Sequence, residues 1–260
     1  MRETDKQQKI TLYCLPFAGG HAHSYRDFQA HVADFIFVKP LDLPGRGRRS
    51  REPLLVDLEA MADDVFHQIQ TDIDGKPYAI YGHSMGALLG NILSRRILGT
   101  NLSAPLHLFF SGREAPSIPC DDPPKYTLSK KAFIAYLHEM GGFPSDLLTD
   151  TTFMAFFEPI LRTDIKAVET YIYKVVPPFD IPITILHGMN DKECPYVDLF
   201  PWQQETRQPI SIKQFPGDHF FIFEHLFQIG QLISKTSLAS TDAMHCVSSK
   251  YRRNALRLYI

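Results

Sequence analysis

Six short apolar runs punctuate the chain, at 10–15, 35–41, 78–81, 106–111, 183–187 and 210–215. Each is nearly continuously apolar, with β-branched and aromatic residues rather than an in–out alternation. That pattern predicts strands covered on both faces, as in a parallel sheet. Between the runs the period changes. Leu58, Met61, Ala62, Val65, Phe66 and Ile69 recur at steps of three and four, as do Leu88, Leu89, Ile92 and Leu93 after the third run. Those steps predict amphipathic helices. Strands alternating with helices give an α/β protein, a mostly parallel central sheet flanked by helices.

The rhythm breaks once, between residues 115 and 178. Pro116, Pro119, Pro123 and Pro124 open this stretch, and helical patterns follow at 130–140, 146–157 and 159–175. Val176-Pro177-Pro178 is a natural helix stop. We read residues 1–114 and 179–235 as the core and 115–178 as a helical lid insertion. Residues 236–260 form a tail rich in Ser and Thr, then in Lys250, Arg252, Arg253 and Arg257. The pattern assigns it no core role and leaves open disorder, a peripheral helix or a segment foreign to the fold.

Composition narrows the function classes. Hydrophobic residues make up 44% of the 260, charged residues 22%, and the formal net charge is -2. A nucleic-acid binder needs a basic footprint that this balance does not supply. No apolar run approaches the ~18 residues of a membrane span, and the polar N-terminus has no apolar core of a signal peptide. Cys14, Cys120, Cys194 and Cys246 are far apart and share no metal or redox spacing, which points to a reduced, cytoplasmic protein. His21 and His23 form a His-x-His pair without a third ligand, and no glycine-rich nucleotide cradle is present; neither a metal nor a cofactor is expected.

The chemistry concentrates at Gly82-His83-Ser84-Met85-Gly86, directly after the third run and before a helical pattern. A Gly-x-Ser-x-Gly pentapeptide alone is weak. Between strand and helix it describes a nucleophile elbow, and with it the α/β-hydrolase fold. The serine occupies a sharp turn, and the glycines two residues away avoid collision with neighbouring backbone. A serine hydroxyl needs a base, and the base needs an orienting acid, in the chain order Ser, Asp, His. The fifth run leads into Gly188-Met189-Asn190-Asp191, and the sixth into Pro216-Gly217-Asp218-His219. Ser84, Asp191 and His219 are therefore the expected triad. Asp198 is the substitute acid. Asp218 adjoins the base too closely in sequence to meet its Nδ1, and Asp180 precedes its strand. His83 and His225 are read as structural. The oxyanion hole needs two backbone N–H donors: Met85, which follows the nucleophile, and Ala18 in Leu15-Pro16-Phe17-Ala18-Gly19-Gly20, with Phe17 as the alternative donor. Arg46, Arg48, Arg49 and Arg51 crowd the loop after the second run, where they meet an acidic partner or a phosphate, or else form a solvated surface loop.

Together, Pro16-Phe17-Ala18-Gly19-Gly20, Leu43-Pro44-Gly45-Arg46-Gly47-Arg48, Gly82-His83-Ser84-Met85-Gly86 and Gly217-Asp218-His219-Phe220-Phe221 resemble the type II thioesterases that accompany nonribosomal peptide and polyketide synthases. The resemblance spans about residues 10–235. Asp218 stands where that family usually carries glycine. The resemblance implies hydrolysis of acyl groups held as thioesters on the phosphopantetheine arm of acyl or peptidyl carrier proteins, so that misprimed or stalled units are cleared. It implies no cofactor besides that arm, a cytoplasmic monomer, and carrier docking as a use for the arginine loop. A stand-alone carboxylesterase or a medium-chain fatty acyl thioesterase is the enzymatic alternative; a non-catalytic binding module is the third.

Overall fold

The computed structural model describes residues 9–120, 122–142 and 144–257, with side chains described through residue 242. The expectation for the N-terminal segment falls on residues 1–8, outside the described residues.

Six strands form one parallel sheet: β1 (Ile10–Leu15), β2 (Ile36–Pro40), β3 (Tyr78–His83), β4 (Leu108–Ser111), β5 (Ile183–Gly188) and β6 (Ser211–Phe215), in the order β2-β1-β3-β4-β5-β6. The chain passes from β1 outward to β2, then returns across β1 to place β3 on the other side. Strand order thus reverses between β1 and β3. At such a switch point the loops leaving adjacent strands diverge and open a crevice at their C-terminal ends. In register, Leu15 lies beside Gly82, so the loop after β1 and the elbow after β3 flank that crevice.

The inner strands β1, β3, β4 and β5 are buried almost throughout, as their apolar runs predict. The edge strands differ. Phe37 of β2 is 56% exposed, and β6 is half-buried to exposed along its length. Each has a neighbour on one side only, so continuous apolarity does not translate there into two covered faces. One face carries α1 (Leu58–Ile69) and α2 (Met85–Leu98), packed through Met61, Val65, Leu88 and Leu89. The other carries two short 3-10 helices at Ala22–Tyr25 and Phe28–His31 together with α7 (Leu226–Arg257), through Tyr25, Phe28, Ile229 and Ile233.

Between β4 and β5 lie α3 (Lys130–Met140), α4 (Ser145–Thr149) and α5 (Thr151–Glu169). They share an apolar cluster of Phe133, Leu137, Leu148, Met154, Leu161 and Ile165. The expected break at Pro159 does not occur. Pro159 sits inside α5, and the chain breaks at Asp150 instead, whose side chain accepts from Thr152 N (2.8 Å) and Phe153 N (2.9 Å). An N-cap that satisfies two orphan donors sets the start of the helix, and packing of the α5 stripe against its neighbours holds it through the one bond the proline removes. α5 ends at Glu169, short of the expected 175.

The chain after β6 continues through α6 (Phe221–Glu224) into α7. The tail therefore does have a core role at its beginning. Within it Ser237 is fully buried and Ser240 Oγ bonds His107 Nδ1 at 3.3 Å, and just before it Ser234 Oγ accepts from Ala33 N at 2.9 Å. Small hydroxyl residues permit close approach here, which explains why hydrophobic patterning did not reveal it. The basic residues Lys250, Arg252, Arg253 and Arg257 have side chains outside the described residues. No helix among the described residues is long and apolar enough to cross a membrane.

Candidate active site

Ser84 is the one non-glycine among the described residues with positive φ, at +53°. A β-carbon there is strained by about 1–3 kcal/mol, a cost that surrounding contacts must hold in place. Ser84 N donates to Ser111 O at 2.8 Å, and Ala87 N to Ser84 O at 3.0 Å. The flanking glycines are sterically required. A β-carbon on Gly82 would run into the Gly86 carbonyl, and one on Gly86 would lie 2.7 Å from Leu15 O. The turn lifts Ser84 to the mouth of the crevice and starts α2 at Met85, whose amide lies in the first turn with no intrahelical acceptor.

His219 follows β6 and Asp191 follows β5. His219 Nδ1 and Asp191 Oδ2 are 2.9 Å apart, with side chains 6% and 0% exposed. A carboxylate only accepts, so Nδ1 carries the proton and Nε2 is left as the basic nitrogen. Asp191 Oδ1 also accepts from Glu193 N at 2.9 Å, which fixes the carboxylate plane. Ser84 and His219 line one cavity of about 130 Å³ with Ala18, Met85 and Gly112. Its lining also includes Arg113, Glu114, Lys125 and Glu169.

The competing residues are engaged elsewhere. Asp218 Oδ1 accepts from Phe220 N at 2.9 Å and Asp180 Oδ1 from Gln208 Nε2 at 2.6 Å, while Asp198 lies in the 3-10 helix Tyr196–Gln204 and the carboxylate on His219 is that of Asp191. His225 Nε2 lies 2.9 Å from Pro216 O. His21 Nδ1 caps the Ala22–Tyr25 turn by accepting from His23 N at 3.3 Å. His83 is fully buried, bonds Ser111 Oγ at 2.8 Å, and packs its ring 4.9 Å from that of His219. Burial, reinforced by His219, holds its pKa well below the ordinary value, so it is a neutral packing partner of the base.

In the loop after β1, Gly20 N donates to Phe17 O at 2.8 Å and Gly19 N to Asp164 Oδ2 at 2.7 Å. Ala18 lines the cavity with Ser84, whereas Phe17 lines an adjoining groove of about 670 Å³ with Phe153, Phe156 and Phe223.

The four loop arginines divide. Arg46 is buried and forks onto Asp164 of α5. Arg49 reaches Glu52 and Asp64. Arg48 touches Asp42 Oδ2 through Nε at 3.4 Å yet keeps its side chain 81% exposed, and Arg51 is exposed. The reading of all four as one surface is corrected accordingly: only these two remain for a partner. Asp164 was not a sequence candidate. Its signal is a carboxylate three residues after Leu161 and beside Ile165, on the apolar stripe of its helix, where an unpaired charge would be costly.

The geometry also has counterparts among known proteins. The Thioesterase domain family model matches residues 10–237. The gramicidin S biosynthesis protein GrsT of Aneurinibacillus migulanus is 37% identical over 227 residues, 87% of this chain and 88% of the relative. The crystal structure of ClbQ, from the colibactin NRPS/PKS pathway, aligns at TM-score 0.86 and 31% identity over 91% of this chain and 100% of that one. BorB, the type II thioesterase of the borrelidin biosynthetic cluster, aligns at 0.80 and 31% over 88% and 93%. The family match takes in both halves of the sheet, the insertion between them and the loops that carry Ser84, Asp191 and His219. This chain accordingly belongs to the thioesterase domain family, as a thioester hydrolase of the α/β-hydrolase fold.

Proposed function

We propose that this thioesterase releases acyl groups from the phosphopantetheine arm of acyl or peptidyl carrier protein domains in polyketide or nonribosomal peptide synthesis, clearing misprimed or stalled units. The observation that carries the reading is the buried Asp191–His219 bond at 2.9 Å, facing the same cavity as the strained Ser84. Similarity to pathway thioesterases such as GrsT, ClbQ and BorB supports the carrier-bound substrate.

Ser84 Oγ attacks the thioester carbonyl while His219 Nε2 takes its proton. Asp191 holds the imidazole tautomer and favours the imidazolium that forms. The carbonyl oxygen becomes an oxyanion that accepts from the Met85 and Ala18 amides. As the C–S bond breaks, His219 returns the proton to the leaving thiol, leaving an acyl-Ser84 ester. His219 then deprotonates a water that attacks this ester, and the acid departs with Ser84 reprotonated. The reaction needs no metal or cofactor besides the carrier's own arm.

The cavity lining joins apolar Met140, Leu161, Ile165 and Val168 to charged Arg113, Glu114 and Lys125, a mixed wall for the acyl unit. The helices of 115–178 act as the lid over this cavity, since Leu161 and Ile165 of α5 form part of its lining. We place the enzyme in the cytoplasm as a single chain. The unpaired thiols of Cys14, Cys120 and Cys194 support a reducing compartment.

The test is release of acid from an acyl-phosphopantetheinyl carrier protein. We expect wild-type turnover and a loss of about 10³-fold or more in Ser84→Ala. A wild type inert on carrier thioesters but active on simple esters overturns the substrate class and keeps the nucleophile.

A further inference from the structure

Asp164 lies on α5 between Leu161 and Ile165, two residues that line the catalytic cavity. It is fully buried, and so is its partner Arg46, at 0% and 2% side-chain exposure. Arg46 reaches it from the loop after β2, where Gly45 (φ +82°) and Gly47 (φ +52°) turn the chain so that the arginine points inward. The guanidinium forks onto the carboxylate, with Nη2 2.8 Å from Oδ1 and Nη1 against Oδ2. Oδ2 also accepts the Gly19 amide at 2.7 Å. One carboxylate therefore joins the helical insertion, the arginine loop and the loop beside the nucleophile.

A buried ion pair is a poor device for stability alone, because apolar residues of similar volume hold a core at least as well. What it supplies is direction. With Gly19 N–H committed to Asp164 and Gly20 N–H to Phe17 O, the Ala18 amide is the one of these three left to face the cavity. Phe157 of the same helix presses on Gly19, where a β-carbon would lie 2.7 Å from its ring.

We propose that Asp164 is a positioning residue for hydrolysis: held by Arg46, it anchors Gly19 and so sets the oxyanion hole by the seating of α5. This rests on the assignment of the Ala18 amide to that hole. Misplacing a transition-state donor by about 1 Å costs on the order of 10²-fold in rate, while substrate binding through the rest of the site is untouched.

The test compares full-length wild type, Asp164→Asn and Arg46→Lys on an acyl-phosphopantetheinyl carrier protein and on p-nitrophenyl butyrate. Enzyme concentration is set by titrating Ser84 with a fluorophosphonate. For Asp164→Asn we expect kcat per titrated site to fall about 10- to 100-fold on both substrates. KM should stay within about threefold, and the pH profile of kcat/KM should keep its shape because His219 and Asp191 are unaltered. A purely structural role would reduce the titratable fraction and leave kcat per site unchanged, and that result overturns the proposal. Should Asp164→Asn not fold, Arg46→Lys keeps the charges paired while losing the fork. A kcat per site lowered about 3- to 10-fold then supports the proposal, and an unchanged one overturns it. Loss of ester turnover in the variants, with a wild type inert on the carrier, would remove the carrier assignment and retain the positioning role.

Discussion

Ser84 occupies a backbone conformation that its side chain disfavours, and the two glycines around it are the reason it stays there. In the proposed mechanism Asp191 acts at a distance from the reacting atoms: its bond to Nδ1 fixes which nitrogen of His219 is free. Replacing it by asparagine keeps the shape but allows the amide to donate to Nδ1, which turns the tautomer and leaves Nε2 protonated. We expect Asp191→Asn to lower kcat about 10²- to 10⁴-fold with little change in KM, by steady-state kinetics on an acyl thioester. A loss below tenfold would mean that His219 finds its tautomer without Asp191. The places of Ser84, Asp191 and His219 were legible because each follows a strand, so three spacings agreed. Asp164 was not legible: its partner is Arg46, 118 positions away, and nothing local distinguishes that arginine from Arg48.

At the level of elements, patterning located all six strands, since apolar runs bounded by turns survive burial in any order. It overstated the edges, where β2 and β6 have one neighbour each. It also passed over the contact that seats α7, because that contact is built from glycine and serine. Gly230 faces the 3-10 helix Phe28–His31, and a β-carbon there would run into the His31 carbonyl. Ser234, one turn on, donates to Gly230 O at 2.7 Å and accepts from Ala33 N at 2.9 Å. Gly230→Ala must push α7 away from that loop. The expected cost is about 2 kcal/mol, or a Tm lower by roughly 4–8 °C, with kcat per folded enzyme preserved. An unchanged Tm would mean that the α7 contact gives way freely.

For the molecule as a whole, two buried histidines tie stability to pH. His83 is held well below its ordinary pKa by burial and by His219, and burial lowers His107 to about 4. His107 joins β4 to its surroundings through Thr184 Oγ1 at 2.8 Å and Ser240 Oγ at 3.3 Å. Both are neutral in the folded protein at pH 6, whereas an unfolded histidine titrates near 6.5. Below that value the unfolded state binds more protons than the native state, so acid favours unfolding. Stability is therefore complete above pH 6.5 and declines as pH falls toward the folded pKa values. The limiting slope is about 1.4 kcal/mol per pH unit for each histidine, and His107 alone accounts for about 3 kcal/mol by pH 4. Denaturant unfolding between pH 7.5 and 5.5, above the carboxylate range, reads this contribution together with that of half-buried His21, whose pKa burial also lowers. We expect the unfolding free energy to fall across that window, and His107→Gln to make the fall shallower while lowering stability at pH 7.5. A His107→Gln profile parallel to wild type would place the proton uptake on His83 and His21, the other histidines whose pKa burial lowers.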